Sequence, residues 1–181
     1  MTREYKITQE EHRLTTEQKL KWFGYGEWVE EADTIHLEYK DYKAEIHRVD
    51  PQIKIEERQV AGGYLRGFVM VPQSHPYYGN EEKFQKIVCY NGLAFNNMNT
   101  VFLKIHIIGF STVDLNDHFT YLLKEKCKDK DFVYRNMEFC IEECLNIIDQ
   151  LIEMENPKRR HRHWHSRHHS KRRDRQHRIL R

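Results

Sequence analysis

The chain has 181 residues, 39% of them hydrophobic and 12% aromatic, which is enough for one core of ordinary size. Its net charge of +2 averages two unlike pieces: residues 158–181 carry 11 Lys and Arg against one Asp, and residues 1–157 carry 19 basic against 27 acidic side chains. The expected organisation is an acidic domain, 1–157, followed by a basic arm, 158–181, and this excludes the domain itself as a generic nucleic-acid binder.

The first residues, MTREYKITQEEHR, are charged throughout and hold no apolar run of the kind a secretory signal needs. No stretch approaches the length of a membrane span, so no membrane partner is expected. The four cysteines, Cys89, Cys127, Cys140 and Cys144, form no CxxC pair. They read as reduced core residues rather than a zinc site or a disulfide frame, and the setting expected from them is the cell interior.

Thr15 or Thr16 can cap a short helix through Glu17–Trp22, which Phe23-Gly24-Tyr25-Gly26 breaks. Trp22, Phe23, Tyr25 and Trp28 are crowded after it. They read as a staple of the N-terminal segment onto the core, or else as a stacking platform. Ile35, Leu37 and Tyr39 alternate with polar residues, Lys40-Asp41 turns, and Tyr42, Ala44 and Ile46 alternate on the way back, which predicts a hairpin. Ile53–Glu57 is a further short strand candidate.

The centre of the chain is GGYLRGFVMVPQSHPYYG, Gly62–Gly79. Leu65, Gly67, Val69 and Val71 point one way and Tyr64, Arg66, Phe68 and Met70 the other, with apolar groups on both sides, so an interior strand is predicted. Gly67 marks a close approach or a bulge. Pro72 ends the strand, Pro76 holds His75 extended, and the loop presents His75, Tyr77 and Tyr78. Such a stiffened loop can form a binding surface; equally, its aromatics can pack on the domain with His75 bonded to a carbonyl.

Asn80–Lys86 reads as a loop with room for one helical turn, Ile87–Tyr90 as a short strand ending at Asn91-Gly92, and Val101–Phe110 as the most apolar strand. Ser111–His118 is a polar loop in which Asp117 can cap a short helical segment. From the cap candidates Lys128–Asp131 onward, Val133, Met137, Ile141, Cys144, Ile148, Leu151 and Ile152 form an apolar stripe at helical spacing, opposed by Glu138, Glu142, Glu143 and Asp149. Asn156-Pro157 ends that helix. The fold class is α+β, with a meander-like, mainly antiparallel sheet covered by one long C-terminal helix and followed by a disordered basic tail.

The order GEWVEEADTIHLEYKDYKAEI, GFVMVPQSHPYYG, CYNGLAF, IGFSTVDLND resembles a family of small uncharacterised tailed-phage proteins. Its members carry GPWxEPD, GYVxVPxGHPxYG, VHGGLTY and GFDxAHxxD blocks and a C-terminal helix. Glu27-Trp28 and Ala32-Asp33 match the first block, and Gly67, Val69, Val71-Pro72, His75-Pro76, Tyr78 and Gly79 the second. The resemblance spans roughly Gly26–Met154 and implies a fold outline and a viral setting, with no activity attached. Where the family has HGG this chain has Tyr90-Asn91-Gly92. Where the family has Asp and His in its GFDxAH block, this chain has Ser111 and Asp114. His75 and Asp117 are the polar residues of the pattern that remain.

Several chemistries can be weighed on these residues. His75, His106, Asp114, Asp117 and His118 could meet at strand ends, but Asp-x-x-Asp-His matches no ligand spacing of fixed geometry, and no metal or other cofactor is expected. Ser111 lacks a G-x-S-x-G elbow, and there is neither a P-loop nor a G-x-G-x-x-G fingerprint. His75 and Asp117 are the candidates for a hydrolase acting on a nucleotide or nucleic acid. Loops 72–79 and 111–118 could instead frame a pocket where His75, Tyr77, Tyr78, Asn91 and Asp114 meet a small ligand or a host protein.

The arm, RRHRHWHSRHHSKRRDRQHRILR, has almost nothing to bury. Arg159, Arg160, Arg162, Arg167, Lys171, Arg172 and Arg173 could neutralise phosphates of nucleic acid or another polyanion while Trp164 stacks on a base. A localisation signal, nuclear if the host is eukaryotic, an acidic partner and a non-selected extension are the other readings. The expected function is a viral accessory binding protein acting inside the host cell.

Overall fold

The computed structural model describes residues 3–50, 63–99, 105–112 and 134–155. Residues Met1–Ile148 form one compact unit and Asp149–Arg181 a second. Within the first, six strands make a single antiparallel sheet in the order β1-β2-β3-β4-β6-β5. They are β1 (Lys6–Glu11), β2 (Thr34–Tyr39), β3 (Tyr42–Arg48), β4 (Leu65–Val71), β5 (Phe95–Asn99) and β6 (Ile105–Ser111). The helices are α1 (Thr16–Phe23), the short α2 (Glu81–Phe84) and the long α3 (Met137–Glu155), with one 3-10 turn at Glu27–Val29. The molecule is α+β.

The predicted hairpin is present, with Tyr39 paired to Tyr42. Lys40 and Asp41 both sit at positive φ, 49° and 67°, the conformation that matches a two-residue turn to the twist of its strands. Helix α1 begins at a capping box, in which the Thr15 hydroxyl accepts from the Gln18 N–H and the Gln18 side chain accepts from the Thr15 N–H. β4 is interior, between β3 and β6. A Cβ at Gly67 would stand 2.3 Å from the Phe110 ring and 3.0 Å from Cys144 Sγ, so a sheet neighbour and α3 close directly onto this backbone. Met137, Cys140, Ile141, Cys144, Leu145, Ile147 and Ile148 of α3 are buried, as the stripe requires.

The structure departs from the sequence reading in four places. β1 was not legible, because KITQEE has no buried face: every one of its residues is exposed or half-exposed, and pairing with β2 alone makes it a strand. Ile87–Tyr90 is not a strand. Ile87 is buried in an irregular segment, and the turn after it closes by a Gly92 N–H to Cys89 carbonyl bond of 3.0 Å with Asn91 at φ 54°. The missing strand is β5, whose FNNMN has little β-propensity and forms by pairing with β6. Nor is the sheet a simple meander, since the chain leaving β4 passes the place of β6, takes the edge as β5 and returns. The expected helix cap at 128–131, the strand at 53–57 and the segment around Asp117 lie outside the described residues; α3 starts at Met137, where Asn136 Oδ1 accepts the Phe139 N–H at 2.9 Å.

The sheet has two unlike faces. Ile35, Leu37, Tyr39, Ala44, Ile46, Leu65, Val69, Val71, Ile108 and Phe110 are buried on one. On the other, His36, Glu45, His47, Arg66, Phe68, Met70, Phe95, Ile105 and Ile107 are half-exposed.

Candidate functional site

The loop after β4 is tightly wound. The His75 N–H donates to the Pro72 carbonyl (3.0 Å), and the Tyr78 N–H donates to the His75 carbonyl (2.9 Å). The His75 ring is 3% exposed, and its Nδ1 accepts the Tyr77 N–H at 3.1 Å. It packs at 5.4 Å against Phe84, whose other neighbour at 4.8 Å is His106. His106, fully buried on β6, accepts the Gly79 N–H on Nδ1 (3.1 Å) and therefore carries its proton on Nε2, which donates to Asn96 Oδ1 at 3.0 Å. The Asn96 amide donates in turn to the Glu81 carbonyl at 2.8 Å. Burial pushes the His106 pKa below that of a free imidazole, although Glu81 opposes the shift. One neutral ring thus ties the loop, α2 and β5 to β6.

Tyr77 and Tyr78 are half-buried around this pair, Tyr77 at 5.8 Å from His75 and Tyr78 at 6.3 Å from His106. Asn91 is exposed at its turn, and the residue before it is held from α3, where Glu143 accepts the Tyr90 N–H at 2.8 Å. The structure therefore brings His75, Tyr77 and Tyr78 together with His106 and Phe84. Asp114, Asp117 and His118 lie outside the described residues, as do Arg159, Arg160, Arg162, Trp164, Arg167, Lys171, Arg172 and Arg173. Among the described residues, no group of three or more His, Cys, Asp or Glu side chains is placed to hold a metal ion.

A second polar cluster had no motif to announce it. Lys19, Asp33 and Arg48 are each no more than 1% exposed. Asp33 Oδ1 faces Lys19 Nζ at 3.2 Å and Arg48 Nε at 3.1 Å, while its Oδ2 accepts the Leu14 N–H at 2.8 Å. Arg48 also reaches Glu31 (2.7 Å), the Gly63 carbonyl (3.1 Å) and the Tyr134 hydroxyl (3.0 Å). Glu31 accepts from the Tyr134 hydroxyl and, at 3.0 Å, from the Met137 N–H that opens α3. Lys19 donates to the Glu31 carbonyl. Burial drives the Tyr134 phenol well above its ordinary range. Two cations and two carboxylates cancel, and the cluster locks α1, β2, β3 and the start of α3 together. It is structural chemistry, since every charge has a partner.

On the half-exposed face, Glu45 lies between two imidazoles, with Oε1 3.2 Å from His36 Nδ1 and Oε2 3.0 Å from His47 Nε2. The His47 bond is the main influence holding the Glu45 carboxyl below its usual range; His36 adds to it and burial opposes it. Beside them opens a groove of about 300 Å³ lined by Thr8, Gln9, His36, Lys43, Glu45 and Met70. From His47 the rings continue, with centroids 5.6 Å to Phe68 and 4.9 Å on to Phe95. Arg66 stands over both Tyr64 (5.2 Å) and Phe95 (5.4 Å).

Nucleophilic thiol chemistry has little footing among the described cysteines. Burial raises the Cys89 thiol to about 11, and it raises Cys140 and Cys144 well above the ordinary range. Comparison with family models, curated proteins and solved structures finds no match. Among the described residues, no helix is long and apolar enough to cross a membrane.

Proposed function

We propose that this chain is a viral accessory binding protein working inside the host cell, with a basic arm that engages nucleic acid or another polyanion. The observation that carries the reading is the segregation of charge: +10 over residues 158–181 against −8 over the rest. An arm of that charge density binds phosphates through counterion release, while an acidic domain repels non-specific contact along its own surface. The HPYYG and GEWVEEAD blocks supply the viral setting by resemblance. The geometry of the described residues favours binding over catalysis: both nitrogens of His106 and the Nδ1 of His75 serve internal hydrogen bonds, and the buried carboxylates are charge-paired.

The test is a full-length variant in which Arg159, Arg160, Arg162, Arg167, Arg172 and Arg173 are replaced by Gln. Affinity of the wild type for a labelled duplex should fall linearly with the logarithm of salt concentration, and the variant should bind at least ~10-fold more weakly with a shallower slope. Salt-insensitive binding that the variant retains would sink the proposal.

A further inference from the structure

Two imidazoles hold the loop after β4 through the same kind of bond. His75 Nδ1 accepts the Tyr77 N–H at 3.1 Å, and His106 Nδ1 accepts the Gly79 N–H at 3.1 Å. The first bond winds the loop upon itself, and the second ties it across to β6. Both rings are buried, and Phe84, also buried, packs against each of them. A ring nitrogen that accepts an N–H carries no proton, so each imidazole has to be neutral for its bond to exist. A histidine that donates Nδ1–H to a carbonyl keeps that bond when it charges. These two lose theirs, because a protonated Nδ1 sets one N–H against another.

The groups facing the pair come from the loop, α2 and the sheet. The loop contributes the phenols of Tyr77, 5.8 Å from His75, and Tyr78, 6.3 Å from His106. Helix α2 contributes Glu81, which favours a charged His106 but is outweighed by burial, and Lys83, whose ammonium lies over the Tyr77 ring at 5.8 Å. Glu81 Oε1 also accepts the Met98 N–H of β5 at 3.4 Å. From the sheet come Asn96, which takes the His106 Nε2–H, and the uncharged Val71 and Met98, which flank His106 in register. A charge on His75 disfavours one on His106. We propose that His75 and His106 form an acid-released latch: protonation of either ring frees the segment Tyr77–Gly79 from its anchor and opens the loop over Phe84 while the rest of the sheet stays folded. Losing the Gly79 bond leaves the Nε2–H donation to Asn96 in place, so β5 keeps its tie and the opening is confined to the loop. Acid thereby uncovers aromatic surface, the half-buried Tyr77 and Tyr78 and the buried Phe84. The latch goes beyond the arm reading and does not depend on it.

Hydrogen exchange of the full-length protein between pH 7 and pH 5, followed by mass spectrometry and corrected for the intrinsic pH dependence of amide exchange, tests the latch. The amides of residues 77–80 should lose protection by ~10-fold per pH unit below the ordinary imidazole value of ~6.5. At pH 5 they should exchange at least ~10-fold faster than those of the β2–β3 hairpin. His75→Asn and His106→Asn each put an amide oxygen where Nδ1 stood, an acceptor that does not titrate, so each should flatten the acid response of the loop. His106→Asn also forfeits the Nε2 bond to Asn96; should it fold poorly, His75→Asn and the wild-type profile carry the test. Loop amides that exchange at the hairpin's rate throughout would make the release no different from global unfolding and overturn the latch. So would a loop equally protected at pH 5 and pH 7, or an acid response that either folded Asn variant leaves at its wild-type value.

Discussion

At one end of β4, the buried Lys19, Asp33 and Arg48 and the half-buried Glu31 set two positive against two negative charges; at the other, His106 is buried as a neutral ring with both nitrogens in hydrogen bonds. The clusters do the same structural work, tying loops and helices to the sheet, but respond to different insults. Charges that sum to zero in a largely buried site are screened little by salt. A neutral imidazole whose Nδ1 must accept an N–H cannot be protonated without breaking that bond. Acid should therefore act at the His106 end of the sheet.

The sharpest way to break the comparison is Arg48→Met. It removes a cation shared by Asp33 and Glu31, leaving Asp33 with Lys19 alone and Glu31 with no cationic partner, so urea unfolding should show a loss of about 3–5 kcal/mol. A loss under about 1 kcal/mol would mean that the charges find water or new partners.

His106→Phe should cost less, about 1–3 kcal/mol, by leaving the Gly79 N–H and the Asn96 amide oxygen unsatisfied. It also tests the pH argument. Because burial lowers the folded-state pKa of His106 from its ordinary value of 6.5, the unfolded chain takes up a proton first as pH falls. The contribution of the neutral ring is then complete above about pH 6.5 and lost progressively below it, until the folded form is also protonated. Wild-type stability should decline from pH 7 toward pH 5, and the decline should be shallower in His106→Phe. Equal slopes would locate the acid sensitivity elsewhere. Glu45, whose carboxyl is held below its ordinary value of 4.5, acts in a lower window and does not confuse the measurement.

Thr15→Ala gives the baseline, an exposed helix cap whose side chain belongs to neither cluster. It removes the capping-box acceptor of α1 and should cost about 1 kcal/mol without altering the pH profile.

Period and turn chemistry made much of this legible. The β2–β3 hairpin, the interior β4, the close approach at Gly67 and the buried stripe of α3 each follow from residues a few positions apart. The charged cluster was also written in the pattern. Arg48 continues the inward series Tyr42, Ala44, Ile46; Asp33 precedes Ile35, Leu37 and Tyr39 in step; and Lys19 lies one helical turn before the buried Phe23. Three charged residues on the inward sides of three elements predict their own meeting. What hid them was the habit of reading charge as surface. The ring row from His47 to Phe95 was hidden for a different reason, because it joins strands whose register depends on β5 taking the edge beyond β6.

By itself the sequence determined the local elements, the apolar stripes and the division of charge between residues 1–157 and 158–181, since all three depend on neighbours in the chain. Only the tertiary structure decided that KITQEE and FNNMN become edge strands, that His106 stays neutral, and that Arg66 stands between Tyr64 and Phe95. Each of those outcomes is set by groups brought together from distant parts of the chain. A hydrogen-bond partner or a lost hydration shell exists only once the sheet has assembled.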